Sequence, residues 1–187
     1  MPVKTIAEFL REELVRPEVV KAGEKLGMTN FSVDPIRVSS AYHYLDIHFH
    51  ALGRISMRFT IGYTYFAACC GIRIIHEICI LSPYFDPFEF DGKRITSLQR
   101  RGFGTFLFQA FMNAATAQAA AEPRSGPGWF ISATTNLQPA GRRIMQKMRW
   151  KAVEVFRNPN TGHIITVWKK KLTTAKYDNL PKEEDKD

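Results

Sequence analysis

The chain of 187 residues is long enough to bury a core of its own and too long for a disulfide-stapled miniprotein. Hydrophobic residues make up 45% of it and charged residues 24%, which excludes a wholly disordered chain, a collagen and a coiled coil. The formal net charge of +8 favours an anionic partner, and nucleic acid, an acidic membrane surface and a phosphorylated small molecule all fit that sign.

Neither a membrane span nor a secretion signal is predicted. The longest apolar stretch, Phe66 to Leu81, is interrupted by three polar residues, whereas a spanning helix needs about 20 apolar ones. Charged residues between positions 8 and 13 interrupt the place of a signal peptide. The three cysteines, Cys69, Cys70 and Cys79, have no zinc-site spacing and suit a reducing compartment. We therefore expect a cytoplasmic protein with no metal and no membrane partner.

The first half of the chain is predicted to contain two helices and then three strands. Apolar residues recur at helical spacing over residues 5 to 14, and Pro17 begins a second helix that Gly27 ends. Runs of β-branched and aromatic residues then predict three adjacent antiparallel strands, which are Tyr42 to Phe49, Ile55 to Phe66 and Ile72 to Leu81. Residues 82 to 98, with two prolines and several aromatics, are predicted to form a long surface loop.

The second half is predicted to alternate helices and strands. An Ala-rich helix begins near Gly102 or Gly104 and runs to about Ala121, before Pro123. The elements predicted after it are a strand at Trp129 to Thr135, a helix at Pro139 to Met148, and a hairpin of Trp150 to Phe156 with Ile164 to Trp168. Residues 173 to 187 are predicted to be a flexible tail.

This order predicts one α/β (α+β) domain over residues 1 to 187. The step from the third strand through the long helix to the fourth, between residues 72 and 135, should be a right-handed parallel crossover. The rest of the sheet should be antiparallel. We therefore expect a mixed, mostly antiparallel sheet with a central parallel strand–helix–strand step and helices on both faces.

A glycine-rich segment before the long helix carries the strongest chemical signal. Residues 99 to 105 (QRRGFGT) let backbone N–H groups turn toward one point at a helix N-terminus, where the dipole favours an anion. The segment lacks the third glycine of the dinucleotide fingerprint and the GK[ST] ending of a nucleoside-triphosphate loop. A pyrophosphate cradle and a tight turn into a helix both remain open on these residues alone.

The positions of Gln99, Gly102 and Gly104 resemble the signature [QR]xxGx[GA] of the GCN5-related N-acetyltransferase (GNAT) superfamily. Asn136, the helix through residues 147 to 149 and Trp150 are similar to the second conserved block of that family. The resemblance covers about residues 41 to 170.

The sequence departs from the family pattern at four places. Met145 stands about where the family often has the tyrosine that protonates the leaving thiolate, and Arg149 stands where a glycine usually precedes the final aromatic. The loop after Leu81 is longer than usual, and no first strand is evident before the N-terminal helices.

The resemblance implies transfer of an acetyl or other acyl group from acetyl-CoA to an amine, within a ternary complex. It implies that the cofactor phosphates meet the glycine-rich segment and that an asparagine borders the site. It also implies that the two parallel strands splay apart, so that the pantetheine arm inserts between them and pairs with the end of one strand. The implied cofactor-binding residues are Gln99, Arg100, Arg101, Gly102, Phe103, Gly104, Thr105, Cys79, Ile80, Leu81 and Asn136.

A general base is expected because an amine must lose its proton before it attacks a thioester. Glu77 is the first candidate, since family members often use a glutamate there, and His76 is the second. Neighbouring residues of a regular strand face opposite sides, so only one of the two should reach the substrate. Tyr84 in the long loop is the candidate acid that would replace the missing tyrosine.

The acceptor, an amine-bearing small molecule or protein, is not identified by the sequence. A rival hypothesis is a catalytically inactive protein of the same fold that binds nucleic acid or another anion through its positive charge. A third is a relative that acylates through a thioester without forming a simple acetamide. The loop aromatics Tyr84, Phe85, Phe88 and Phe90 either cap the acceptor site or form a contact in a homodimer.

Overall fold

The computed structural model describes residues 4–66, 72–122 and 128–177. The helices in these ranges are α1 (Ile6–Leu14), α2 (Pro17–Lys25), α3 (Phe103–Ala121) and α4 (Pro139–Lys147). The strands are β1 (Met28–Val33), β2 (Arg37–Ser39), β3 (Tyr42–Ala51), β4 (Ile55–Phe66), β5 (Ile72–Leu81), β6 (Phe88–Phe90), β7 (Lys93–Ile95), β8 (Trp129–Thr135), β9 (Lys151–Arg157) and β10 (Ile164–Lys171).

The N-terminal helices begin and end where local sequence signals place them. Thr5 caps α1, and its hydroxyl and backbone N–H exchange hydrogen bonds with Glu8 in a capping box. Pro17 occupies the first turn of α2, where its missing N–H has no intrahelical partner to lose. Gly27 follows this helix with a φ of 80°, a left-handed conformation that glycine adopts without strain.

The main sheet contains eight of the described strands. Its order is β1-β3-β4-β5-β8-β10-β9, and β2 pairs with β3 beside this path. The β5–β8 pair is parallel, and every other described pair of this sheet is antiparallel. Helix α3 connects the two parallel strands. The predicted fold class, a mixed and mostly antiparallel sheet with a central parallel step, is therefore confirmed.

Contacts of α3 and α4 identify the face of the sheet that the helices cover. Phe111 of α3 packs against Phe130 of β8, with ring centroids 6.5 Å apart. Gly141 of α4 lies beside Thr134 of the same strand. Phe130 and Thr134 are four residues apart on β8 and therefore share a face.

Helices α1 and α2 belong to the same layer as α3. Gly23 of α2 lies against Phe106 of α3, and Asn113 of α3 donates a hydrogen bond to Glu13 of α1. The described helices thus cover one face of the sheet rather than the two faces expected from the sequence. The other face is more polar on β3 and β4, where the Thr60 hydroxyl donates a hydrogen bond to Asp46.

Two strands at the edge of the sheet were not expected from the sequence. Strand β1 pairs with β3 in a ladder whose register shifts between Thr29 and Ser32. Asn30, inside this shift, has a φ of 55°, so the alternation that identifies a strand is broken there. Strand β2 has only three residues, and all are exposed. The edge strand β1 follows the N-terminal helices in the chain.

The segment predicted as a long loop contains a small hairpin. Strands β6 and β7 pair antiparallel around Asp91 and Gly92, whose φ angles are 49° and 71°. Two successive positive φ angles are typical of a type I′ turn, which Asp-Gly favours. Ile95 and Leu98 after the turn are buried, so the segment is anchored to the core. The prediction of a surface loop is therefore wrong for residues 88 to 95, which form this hairpin.

The predicted flexible tail is ordered over its first residues. The Tyr177 hydroxyl donates a 2.8 Å hydrogen bond to Glu13, and its ring packs against Phe106 at 5.0 Å. Ala175 donates its backbone N–H to the Asn113 side chain at 3.0 Å. Burial is the main cause that raises the pKa of Tyr177 above its ordinary value. The contacts of a buried polar network hold residues 173 to 177, which composition alone does not reveal.

Candidate functional site

The parallel strands β5 and β8 separate part of the way along their length. Their pairing runs from Ile72 opposite Trp129 to Ile75 opposite Ser132. Strand β5 then continues to Leu81 and β8 to Thr135 without further pairing to each other. The result is an opening in the sheet, as expected from the resemblance, in which the backbone of residues 76 to 81 has no partner on the β8 side among the described residues.

The N-terminus of α3 lies at this opening. A Cβ atom built on Gly104, in the first turn of α3, would lie 3.1 Å from Cδ1 of Ile80 on β5. The same atom would lie 3.8 Å from Cδ1 of Ile144 on α4. Any side chain at position 104 would therefore intrude between the end of β5 and α4. The space beside the opening depends on this glycine.

The backbone of residues 99 to 105, which we call the cradle, turns sharply before α3. Arg100 has a φ of 60° and Gly102, the N-cap, a φ of 79°. The first N–H groups of a helix have no acceptor within the helix, and no side chain caps those of α3. Arg101 donates from Nε to the Ser97 carbonyl at 3.2 Å, and Arg100 is exposed. An anion at this point would receive backbone hydrogen bonds and the favourable end of the helix dipole.

A β-bulge brings both candidate bases to one face of the sheet. Glu77 pairs with Gly62 of β4, whereas the next pair joins Ile75 with Tyr63, so His76 is an extra residue in β5. Both are exposed, and both contact residues of the face opposite the helices. The expectation that only one of the two could face the substrate is therefore wrong. They are also the first two residues of β5 beyond its last pair with β8.

His76 has a defined environment on this face. Its Nε2 atom lies 2.5 Å from the Thr64 hydroxyl, and its ring meets the edge of the Tyr42 ring at 4.7 Å. Partial burial lowers the pKa of His76 below its usual value, because desolvation disfavours the imidazolium. The neutral ring, which can accept a proton, is consequently the main form at neutral pH.

Gly62 makes room for the second candidate base. A Cβ atom on Gly62 would lie 3.3 Å from Cβ of Glu77 and 3.0 Å from the Tyr44 ring. Glycine inside a strand often marks a bulge, so Gly62 is the sequence signal that could have indicated the irregularity. The interpretation from sequence missed it, together with the Thr64 and Tyr42 contacts of His76.

The remaining predicted site residues are distributed along the opening and beyond it. Cys79 is half-buried opposite Thr60, and the side chains of Ile80 and Leu81 are exposed. Tyr84 is 92% exposed, and its hydroxyl lies 3.4 Å from Asp86, its only described partner. The structure does not bring Tyr84 into contact with His76 or Glu77 among the described residues.

Asn136 closes the junction between β8 and β10. Its backbone N–H donates to the Ile164 carbonyl at 2.9 Å, and its side-chain oxygen accepts from the Ile164 N–H at 3.1 Å. The side-chain amide group remains a potential donor toward a ligand. Position 136 thus holds the end of β8 in place, and its predicted role in cofactor binding remains a prediction.

Met145, which stands about where the resemblance would place a tyrosine, is a core residue with 1% exposure. We expect Met145→Tyr to lower the free energy of unfolding by about 1–3 kcal/mol, because a larger ring with a hydroxyl overpacks a filled site. Urea denaturation checks this prediction, and Met145→Leu, which conserves volume, is the control. Equal stability of the tyrosine variant and the wild type would show that the ring leaves the core.

A cavity of about 580 Å³ lies away from the opening, between α1, α3 and residues 174 to 177. Three of the polar side chains that line it, Glu13, Asn113 and Tyr177, already bond to one another. The cavity is therefore a weaker candidate for the site than the opening, where backbone donors and both candidate bases lack such a closed network.

No protein-family model and no curated protein sequence matches the chain. Among solved structures, it is similar to Naa50 of Arabidopsis thaliana in complex with the bisubstrate analogue CoA-Ac-MVNAL (10% identity, 67% of this chain and 71% of that one, TM-score 0.43). It is also similar to an acetyltransferase of the GNAT family from Streptococcus pneumoniae (11% identity, 68% of this chain and 66% of that one, TM-score 0.43). A third similar structure is RimL, a ribosomal L7/L12 alpha-N-protein acetyltransferase (7% identity, 75% of this chain and 98% of that one, TM-score 0.47).

These likenesses concern the fold alone. What the structure confirms is the predicted architecture, a mixed and mostly antiparallel sheet with a central parallel step. Within the described ranges, no helix combines the length and the apolarity that crossing a membrane requires.

Proposed function

We propose that this protein is an N-acetyltransferase that moves an acetyl group from acetyl-CoA to an amine. One observation carries the proposal: β5 and β8 separate beyond Ile75 and Ser132, and the uncapped N-terminus of α3 lies at the opening beside Ile80. The opening provides free strand backbone, and the cradle provides anion donors. Together they suit a long ligand with a phosphorylated end and an extended, amide-containing arm.

The residues present fit acetyl-CoA, which would supply an acetyl group activated as a thioester. The N–H groups of residues 103 to 105 and the exposed Arg100 would hold the pyrophosphate. The free backbone of residues 79 to 81 would pair with the amides of the arm, as an added strand does. Gly104 would keep the passage between Ile80 and Ile144 open.

The candidate bases lie at the narrow end of the opening. Because the separated strands leave a gap through the sheet, an arm that enters from the α3 side can present its end to the opposite face. Glu77 and His76 lie on that face, directly beyond the last β5–β8 pair. Either carboxylate or neutral imidazole can accept the proton of an attacking amine, directly or through water. We propose Glu77 as the base and His76 as the alternative.

The leaving thiolate needs little assistance from the protein. Free thiols have a pKa near 8.5, so a thiolate leaves readily near neutral pH and can be protonated by water. This agrees with the burial of Met145 and with the exposure of Tyr84. Tyr84 as an acid remains a prediction that requires the loop at residues 82 to 87 to approach the opening.

A thermal-shift titration tests the proposal, with acetyl-CoA, free CoA and duplex DNA as separate ligands. Acetyl-CoA at a hundred times its dissociation constant should stabilise the protein by about 2.7 kcal/mol. Mass spectrometry of a panel of amines, including small amines, peptides and lysine-containing proteins, should then show an increase of one acetyl group on an acceptor. Stabilisation by DNA with no response to either form of CoA would favour the rival, a non-enzymatic nucleic-acid binder.

Substitution of the cradle arginines separates charge recognition from structure. We expect Arg100→Ala to weaken CoA about tenfold and to leave pantetheine less affected, because pantetheine lacks the pyrophosphate that the arginine would hold. Arg94→Ala, an exposed arginine of the β6–β7 hairpin, is the matched control. Isothermal titration checks the affinities. Equal losses for CoA and for pantetheine would assign Arg100 a structural role.

A further inference from the structure

The positive charge of the chain is concentrated in one segment. Residues 128 to 171, which contain β8, α4, β9 and β10, hold nine lysines and arginines and a single acidic residue, Glu154. All of the remaining sequence holds 17 basic and 17 acidic residues. This segment therefore carries the entire net charge of +8. An anionic partner should be recognised by residues of this segment.

Strand β9 is an uncovered edge of the sheet. It is last in the strand order and pairs with β10 alone among the described strands. All seven of its residues are exposed, including Val153 at 50%, Val155 at 63% and Phe156 at 40%. Its outer backbone N–H and C=O groups are thus available, and exposed apolar side chains on an edge strand favour pairing with another chain.

The side chains of β9 offer apolar contacts on both faces of the sheet and charges at both ends. Phe156 pairs with Ile165 of β10, and Val155 pairs with Thr166, so the two apolar residues project from opposite faces. Lys151 begins the strand and Arg157 ends it. An added strand could therefore place apolar residues on both faces and acidic residues near each end.

We propose that the outer edge of β9 binds an extended acidic segment of another protein as an added strand. This inference is independent of the acetyltransferase proposal. Backbone pairing would give affinity, and contacts with Val155 and Phe156 would give register. The basic residues of the segment would give attraction and a fast association rate.

The observations favour an acidic polypeptide over other occupants. A nucleic acid would meet the charge, but its backbone cannot continue the ladder of N–H and C=O groups along β9. A second copy of the chain would bring the same basic strand. In an antiparallel pairing centred on Glu154, Lys151 of each copy would lie opposite Arg157 of the other, which like charges disfavour.

Fluorescence anisotropy with the full chain tests the proposal. The probe is a short labelled peptide with valines in its middle and glutamates at both ends, and the two control probes carry N-methyl groups on either its odd-numbered or its even-numbered residues. Each methylation pattern removes the N–H donors from one of the two edges of the peptide strand. We expect the pattern that blocks the edge facing β9 to weaken binding about tenfold. If both methylated peptides bind as tightly as the unmodified peptide, strand addition is wrong.

Charge reversal locates the site. We expect Lys151→Glu with Arg157→Glu to weaken the peptide about tenfold, mostly through slower association. The matched control is Lys93→Glu with Arg94→Glu, two exposed basic residues on β7, and should change affinity less than about twofold. If the two double variants weaken the peptide equally, or if duplex DNA displaces the peptide and binds with the same affinity, the peptide is held by non-specific charge attraction and not by strand addition. Concentration-dependent dimerisation that excludes the peptide would assign the edge to a second copy.

Discussion

Gly104→Val is expected to abolish acetyl-CoA binding while the protein remains folded. The valine Cβ would lie 3.1 Å from Ile80 and 3.8 Å from Ile144, and its two methyl groups would extend further into the space where the cradle meets the opening. The fold should survive because the nearest atom is the flexible end of an isoleucine side chain. Isothermal titration with acetyl-CoA measures the binding, and circular dichroism with thermal unfolding measures the fold.

Two further variants keep this prediction specific. Gly104→Ala adds the Cβ alone and should give an intermediate loss. Gly141→Ala places a Cβ on α4 at 3.5 Å from Thr134, an ordinary van der Waals contact, and should bind acetyl-CoA like the wild type. If the valine variant binds with wild-type affinity, the cradle does not approach the cofactor as proposed.

Glu77→Gln is expected to lower turnover by about 10²–10⁴ and to leave the affinity for acetyl-CoA nearly unchanged. Glutamine keeps the size of the side chain and can still form hydrogen bonds, but it cannot accept the proton of the amine. His76→Gln is the matched variant, because the bulge gives both residues access to the same face. Steady-state rates and cofactor titrations on the two variants separate catalysis from binding.

The dependence of the rate on pH identifies the base when both variants are slow. Burial lowers the pKa of His76 below its ordinary value, so its neutral form persists into more acidic solution than is usual for histidine. If His76 is the base, the wild-type rate falls only in that acidic range and the fall is lost in His76→Gln. Near-normal turnover of Glu77→Gln, with the same acidic limb as the wild type, would remove Glu77 from the mechanism.

The elements that the sequence predicts well are those with strong local periodicity. The bounds of β4, β5 and β8 agree with the prediction, and α3 begins between the two glycines proposed as its start. Apolar residues at helical or alternating spacing determine these segments, and the core that they form is continuous. The parallel crossover places β8 beside β5, but the opening between the two strands was expected from the family resemblance alone.

The parts that the sequence did not predict depend on pairing between distant residues. A bulge is a mismatch between two strands, so the alternation of β5 alone does not show that His76 is extra. The order of residues 173 to 177 depends on Glu13 and Asn113, which are far away in the chain. Short strands such as β2 have too few residues to show a period.

The bulge in β5 also bears on how length changes would be tolerated at this point in the chain. Glu77 and Ile75 pair with the adjacent residues Gly62 and Tyr63, so a chain without His76 could form an uninterrupted ladder with every other pair unchanged. An insertion or a deletion elsewhere in the strand would exchange the two faces for all the residues that follow. The bulge at position 76 is therefore a place in β5 where a homologue could lose a residue and keep the same sheet.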